Sequence, residues 1–116
     1  MMQGDKDQMR KAQQNERRNE TEVVLYTAQI ATKDRLHEIL KEACAFPAYY
    51  GGNLSALDDC LGEYDAPLSL TLVLSEPYGN LADYWIRFAQ VCMRASFENP
   101  FISFRITHEM EDPIHR

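Results

Sequence analysis

Long apolar runs are missing from this chain. None approaches the roughly 18–20 residues that a helix needs to cross a bilayer. The opening stretch, MMQGDKDQMRKAQQNERRNE, has no apolar centre of the kind a secretory leader carries. Both absences point to a cytoplasmic protein that makes no membrane contact. Cysteine is scarce and odd in number: Cys44, Cys60 and Cys92 follow no pairing pattern, which suits free thiols in a reducing compartment. Each falls in a helical pattern, where cysteine behaves as a small apolar residue. Positive charge is also in short supply. Twelve Lys and Arg stand against eighteen Asp and Glu, for a net charge of −6. A nucleic-acid backbone calls for clustered Lys and Arg, so direct nucleic-acid binding is excluded, and a basic protein partner fits better. No Lys or Arg occurs between Lys41 and Arg87.

Other chemistries lack their residues too. His37, His108 and His115 share no ligand spacing with a cysteine, so no metal site is expected and the histidines read as surface residues. His37 is further expected to support the loop beside it by hydrogen bonding. The Gly51-Gly52 pair precedes a helix but lacks the lysine of a phosphate-binding loop, and neighbouring aspartates would repel an anion. It reads as a structural turn. Asp58 and Asp59 are adjacent on a helix and so point about 100° apart, which keeps them from converging on one reacting atom. Neither an enzyme nor a cofactor is expected. There are no internal repeats.

What is present fits one small domain of 116 residues. Residues 1–20 read as a flexible polar tail. They contain no aromatic side chain and carry five basic against four acidic groups. Residues 21–116 form the compact domain and hold seven basic and fourteen acidic side chains. EVVLYTAQI, residues 22–30, is β-branched and aromatic, and reads as a strand. Thr32 suits a helix cap with Asp34 in the first turn, and Leu36, Ile39, Leu40 and Ala43 then make one helical face. Phe46-Pro47 ends that helix. Asn53 is placed to cap a short helix, LSALDDCLG, with Gly62 at its C-terminal end. PLSLTLVL, residues 67–74, resembles a central strand covered on both faces. EPYGN, residues 76–80, reads as a turn whose Asn80 caps the longest helix. Leu81, Trp85, Phe88, Cys92 and Ala95 form that helix's stripe, and Asn99-Pro100 stops it. Tyr84 and Trp85 read as core. FISFRIT alternates, with Ile102, Phe104 and Ile106 on one side, and HEMEDPIHR reads as a loose tail. The order β-α-α-β-α-β predicts a small α/β fold, a three-stranded, mainly parallel sheet packed with helices.

The segment from Phe46 to Val73 carries the most information. On a helical wheel Leu54, Leu57 and Leu61 cluster with Cys60 beside them. Ser55, Asp59, Gly62 and Glu63 take the opposite side, and Asp58 sits at the edge. Asp58, Asp59, Glu63 and Asp65 crowd four carboxylates into eight residues, a concentration that a cationic partner would relieve.

Residues 36–61, LHEILKEACAFPAYYGGNLSALDDCL, resemble the barstar family of ribonuclease inhibitors. The resemblance rests on Leu36-His37 with the following helix, on Phe46-Pro47-x-Tyr49-Tyr50-Gly51-x-Asn53-Leu54, and on Ala56-Leu57-x-Asp59-Cys60-Leu61. It is dense over about 30 residues and continues to residue 107 only as a matching order of elements, while residues 1–20 lie outside it. It implies the family's small barstar-like sandwich fold. It also implies an immunity protein or antitoxin that occludes the active site of a cognate, basic ribonuclease toxin, one to one, as a monomer when free. By position, Asp59 matches the family's main acidic anchor, and Tyr49, Gly51, Asn53 and Leu54 match contacts in the loop and helix start. Glu98 matches an acidic contact at the end of the last long helix. With Ser55, Asp58, Glu63 and Tyr64 these make up the expected partner-binding surface. Ser55 stands where the founding member has a second aspartate, Asp58 replaces a bulky aromatic, and Arg94 falls where an acid is expected. The link from Leu74 to Asn80 is too short for an extra small helix that some relatives carry. The same scaffold recognising a non-nuclease toxin or another protein is the alternative.

Overall fold

The computed structural model describes residues 20–75 and 81–109. Strand β1 (Thr21–Tyr26) leads through a 3-10 turn at Thr27–Gln29 to helix α1 (Lys33–Cys44). Helix α2 (Leu54–Gly62), strand β2 (Leu68–Leu74), helix α3 (Ala82–Glu98) and strand β3 (Ile102–His108) follow. The strands lie in the order β1-β2-β3, and both pairings are parallel. Each pairing therefore needs a helical crossover, which the alternation of strand and helix supplies. The fold is the α/β arrangement that the element order predicts.

Period-two alternation puts Val23 and Leu25, Leu68, Leu70 and Leu72, and Ile102 on one sheet face, where all are buried. Leu36 and Leu40 of α1, Leu57 and Leu61 of α2, and Trp85, Phe88, Cys92 and Ala95 of α3 cover that face. Each fully buried leucine or phenylalanine contributes about 1.5–3 kcal/mol. The opposite sheet face stays largely open. Glu22, Val24 and Tyr26 are exposed, as are Ser103 and Arg105, while Ser69 and Thr71 are half-buried. Strand β2 is thus central by hydrogen bonding and has no exposed residue; its second face is more thinly covered than the first, with Val73 buried and Ser69 and Thr71 half-buried.

The caps at Thr32 and Asn53 form as the residue types dictate. Thr32 Oγ1 accepts from the Arg35 N–H at 3.1 Å, and Asn53 Oδ1 accepts from the Ala56 N–H at 2.8 Å. Four sequence expectations need correction. Strand β1 stops at Tyr26, because the Thr27 hydroxyl turns in to bond both the N–H and the carbonyl of Ser75 at 3.0 Å. Ala43 is exposed, and Cys44 takes the core position in the last turn of α1. The cap position of α3 is Leu81, which makes no side-chain cap bond. His108, read as tail, is the last residue of β3 and pairs with Leu74. Asn80, the turn at 76–80, the tail at 1–19 and His115 lie outside the described residues.

Candidate functional site

The site starts where α1 ends. Ala45 takes a left-handed conformation, φ 57°, and the Phe46 N–H returns to the Lys41 carbonyl at 3.0 Å. The chain then turns sharply, with the Tyr50 N–H bonded to the Pro47 carbonyl at 2.9 Å. Tyr50 is buried and packs on Phe46, ring centroids 4.9 Å apart. Its neighbour Tyr49 points the other way and is 80% exposed. Gly52 has φ +71°, a conformation that side chains with a Cβ rarely adopt. Gly51 is different: a Cβ there would meet Asn53 and Ala56 at ordinary contact distances of 3.5 and 3.6 Å.

Beneath the loop lies His37, only 3% exposed. This corrects the expectation of a surface histidine and supports its reading as a prop for the loop. Nδ1 meets the Tyr50 hydroxyl at 2.5 Å and Nε2 meets the Tyr84 hydroxyl at 2.7 Å. A neutral imidazole has one donor and one acceptor, so one tyrosine accepts from the ring and the other donates to it. Burial lowers the His37 pKa below its ordinary 6.5, and the Asp34 carboxylate opposes that shift only in part. The neutral ring is the form that suits the clamp. Tyr84 is half-buried, and Lys33 Nζ sits 4.9 Å from its ring centroid. The loop is therefore tied to both α1 and α3.

Helix α2 rests on this base. Leu57 and Leu61 are fully buried, and Leu54 and Cys60 are half-buried beside them. The wheel is thus realised, with Ser55, Asp59, Gly62 and Glu63 exposed. Neither Asp59 nor Glu63 has an ion-pair partner among the described residues. Asp58 does: its Oδ2 lies 3.2 Å from Arg94 Nη2 of α3. The charge expected at the edge of α2 is offset by the very residue that stands where an acid was expected.

The far end of α2 is tied to both flanking helices. Buried Asn99, just past α3, donates Nδ2 to the carbonyls of Leu61 and Tyr64 at 2.8 and 3.0 Å. The Tyr64 hydroxyl donates to the Cys44 carbonyl at 2.8 Å. Tyr64 is thus half-buried and its hydroxyl is spent inside the protein. Glu98 is exposed and precedes Asn99, so the chain brings it to the Glu63 end of α2. Tyr49, Gly51, Asn53, Ser55, Asp59 and Glu63 lie exposed along the loop and one side of α2, with Leu54 half-buried among them. Arg94 and the Tyr50–His37–Tyr84 clamp are the parts that sequence reasoning did not assemble.

Chemically, this surface can present carboxylates and an aromatic side chain on a stiff mount. No group of three or more His, Cys, Asp or Glu that could hold a metal occurs among the described residues. No described helix is long and apolar enough to cross a membrane.

"Putative ribonuclease inhibitor YrdF" of Bacillus subtilis (strain 168) is 58% identical over 38 residues, covering 32% of this chain and 42% of that protein. The chain thus matches less than half the length of this curated relative. A model of the family described as Barstar (barnase inhibitor) matches residues 20–109, which take in every element from β1 to β3. On the strength of that match the chain belongs to the barstar family.

Proposed function

We propose that this protein inhibits a basic ribonuclease by binding over its active site, with α2 and the loop before it as the plug. The single observation that carries the reading is Asp59. It is exposed at the middle of a helix whose other side buries Leu57 and Leu61, on a mount locked at both ends. A carboxylate so placed can accept hydrogen bonds from the Arg, Lys or His side chains with which a nuclease holds phosphate. Tyr49, 80% exposed, offers a large rigid contact beside it at little entropic cost. Inhibition requires no chemistry from this chain, and so no catalytic residue, metal or cofactor. The biological role that follows is immunity: one inhibitor occupies one nuclease toxin in the cytoplasm of the producing cell. Residues 1–20 are a polar extension of the domain at 21–116.

The test is nuclease inhibition, with barnase as one target and any ribonuclease encoded beside this gene as the other. The protein should abolish the activity of at least the neighbouring enzyme. Asp59→Ala should weaken inhibition at least tenfold, about 1.4 kcal/mol, with an unchanged circular dichroism spectrum. Undiminished inhibition by that variant removes the assigned anchor.

The Asp58–Arg94 pair favours a second reading, in which the scaffold serves a non-nuclease toxin or another protein. By offsetting one carboxylate it makes that rim of the site less acidic than a phosphate-mimicking surface needs. Isolating the bound partner from cells separates the two readings: a protein without nuclease activity, bound through Asp59, favours the second.

A further inference from the structure

The geometry points to Tyr84 as a positioning residue for the inhibitory loop: its hydroxyl accepts from His37 Nε2, fixes the imidazole in one tautomer and, through Tyr50, sets how Tyr49 faces the nuclease. This rests on the proposed inhibition and adds to it a residue of α3 that belongs neither to the loop nor to α2.

The contacts run from Tyr50 to His37 to Tyr84 and join the loop, α1 and α3. Each hydroxyl donates one proton, and a neutral imidazole donates from one nitrogen only. Two arrangements are open, and burial chooses between them. The bond between Tyr50 and Nδ1 is buried, whereas that between Nε2 and Tyr84 is part-buried. Among the described residues no other acceptor reaches the Tyr50 hydroxyl. A proton on Nδ1 would be donated to Tyr50 and would strand the tyrosine's own proton in the core. A buried donor without a partner is costly. With the proton on Nε2, Tyr50 donates to Nδ1 and Nε2 donates to Tyr84. Half-buried Tyr84 can then turn its own proton to water, and every donor is satisfied.

Tyr84 holds the ring in that state. It is the one acceptor for Nε2 among the described residues, and its ring stands edge-on to the imidazole at 80°, centroids 6.0 Å apart. The imidazole in turn supports the loop at two points. Nδ1 takes the Tyr50 hydroxyl, and a Cβ added at Gly52 would lie 3.9 Å from His37 Cβ. Tyr49 is exposed, and its side chain makes no hydrogen bond among the described residues. Its direction is therefore set by the backbone that Tyr50 anchors. Without the Tyr84 hydroxyl, Nε2 loses its acceptor, both tautomers fill, and the Tyr50 anchor loosens.

The test is Tyr84→Phe, which removes one oxygen and keeps the ring. Imidazole nitrogen chemical shifts of the free parent chain at neutral pH should show His37 protonated at Nε2 alone. In Tyr84→Phe the two nitrogen shifts should move toward each other. Tyr84→Phe should weaken ribonuclease inhibition about five- to tenfold, through faster dissociation, with an unchanged circular dichroism spectrum. In a Tyr49→Ala chain the same substitution should cost less than about twofold, because the side chain it positions is gone. A proton on Nδ1 in the parent overturns the proposal. An equal loss with Tyr49 present or absent also overturns it, by making Tyr84 a direct contact. Undiminished inhibition by Tyr84→Phe beside a weakened Asp59→Ala removes this role and leaves the inhibitory function standing. A parent chain that inhibits no ribonuclease removes that function itself, and this role with it.

Discussion

At the scale of single residues, local chemistry was the easiest thing to read. Thr32 and Asn53 cap their helices because a short side-chain oxygen at the right position finds an N–H three residues on, whatever the rest of the chain does. The His37 clamp was half legible. Its support of the loop followed from position, but its burial between two tyrosines depends on partners 13 and 47 positions away. That clamp sets a pH dependence. The folded-state pKa of His37 lies below its ordinary 6.5, so between the two values the unfolded chain binds more protons than the folded one. The contribution is therefore fully present above about pH 6.5 and is lost as pH falls below it. Chemical denaturation between pH 7.5 and pH 5, taken here as about neutral to mildly acid, should show that loss in the parent protein and a flatter profile in His37→Gln. A second residue-level outcome concerns Gly52, whose positive φ makes any Cβ costly. Gly52→Ala should lower stability by about 1–2 kcal/mol. Gly51→Ala should be much milder in denaturant titration, since space exists for the extra carbon.

At the scale of elements, the arrangement of α2 turns on contacts that no periodicity reports. Asn99 reads from sequence only as the residue before a helix-stopping proline. In the fold its amide ties the end of α3 to the two carbonyls at the end of α2. Asn99→Ala strands those carbonyls and should destabilise the protein by about 1–3 kcal/mol. It should also weaken nuclease inhibition, because the Glu63 end of α2 loses its anchor. The Asp58–Arg94 pair contrasts with it. Its side chains are 38% and 55% exposed, so water and salt screen the attraction. Arg94→Ala should change stability by no more than about 1 kcal/mol. It should alter which nucleases are inhibited more than whether the protein folds. The end of β1 and the last core position of α1 were misjudged for a related reason. Thr27 and Ala43 have side chains compatible with the extended and helical patterns around them, and only tertiary partners decide where each pattern stops.

At the scale of the whole molecule, the order of elements and the parallel sheet were legible because each crossover helix has a clear apolar stripe and each strand a clear apolar row. The uneven cover of the two faces of β2 was not. Ser69 and Thr71 are small and β-compatible, and the sequence PLSLTLVL does not reveal that helices lie on only one of its faces. The chain's net charge of −6 belongs to this scale as well. Acid concentrated near α2 should steer a basic nuclease toward the site. The association rate measured by stopped flow should fall as salt rises from about 10 mM to about 0.15 M, where the screening length shrinks from about 30 Å to about 8 Å. The dissociation rate should change much less.

The uncovered sheet face offers a practical handle. Ser103 stands there, exposed, on the reverse of the layer that carries α2. A dye or a surface tether attached at that position would leave the helical layer unobstructed. Binding could then be followed with the inhibitor fixed from behind, without a label competing for the contact it is meant to report.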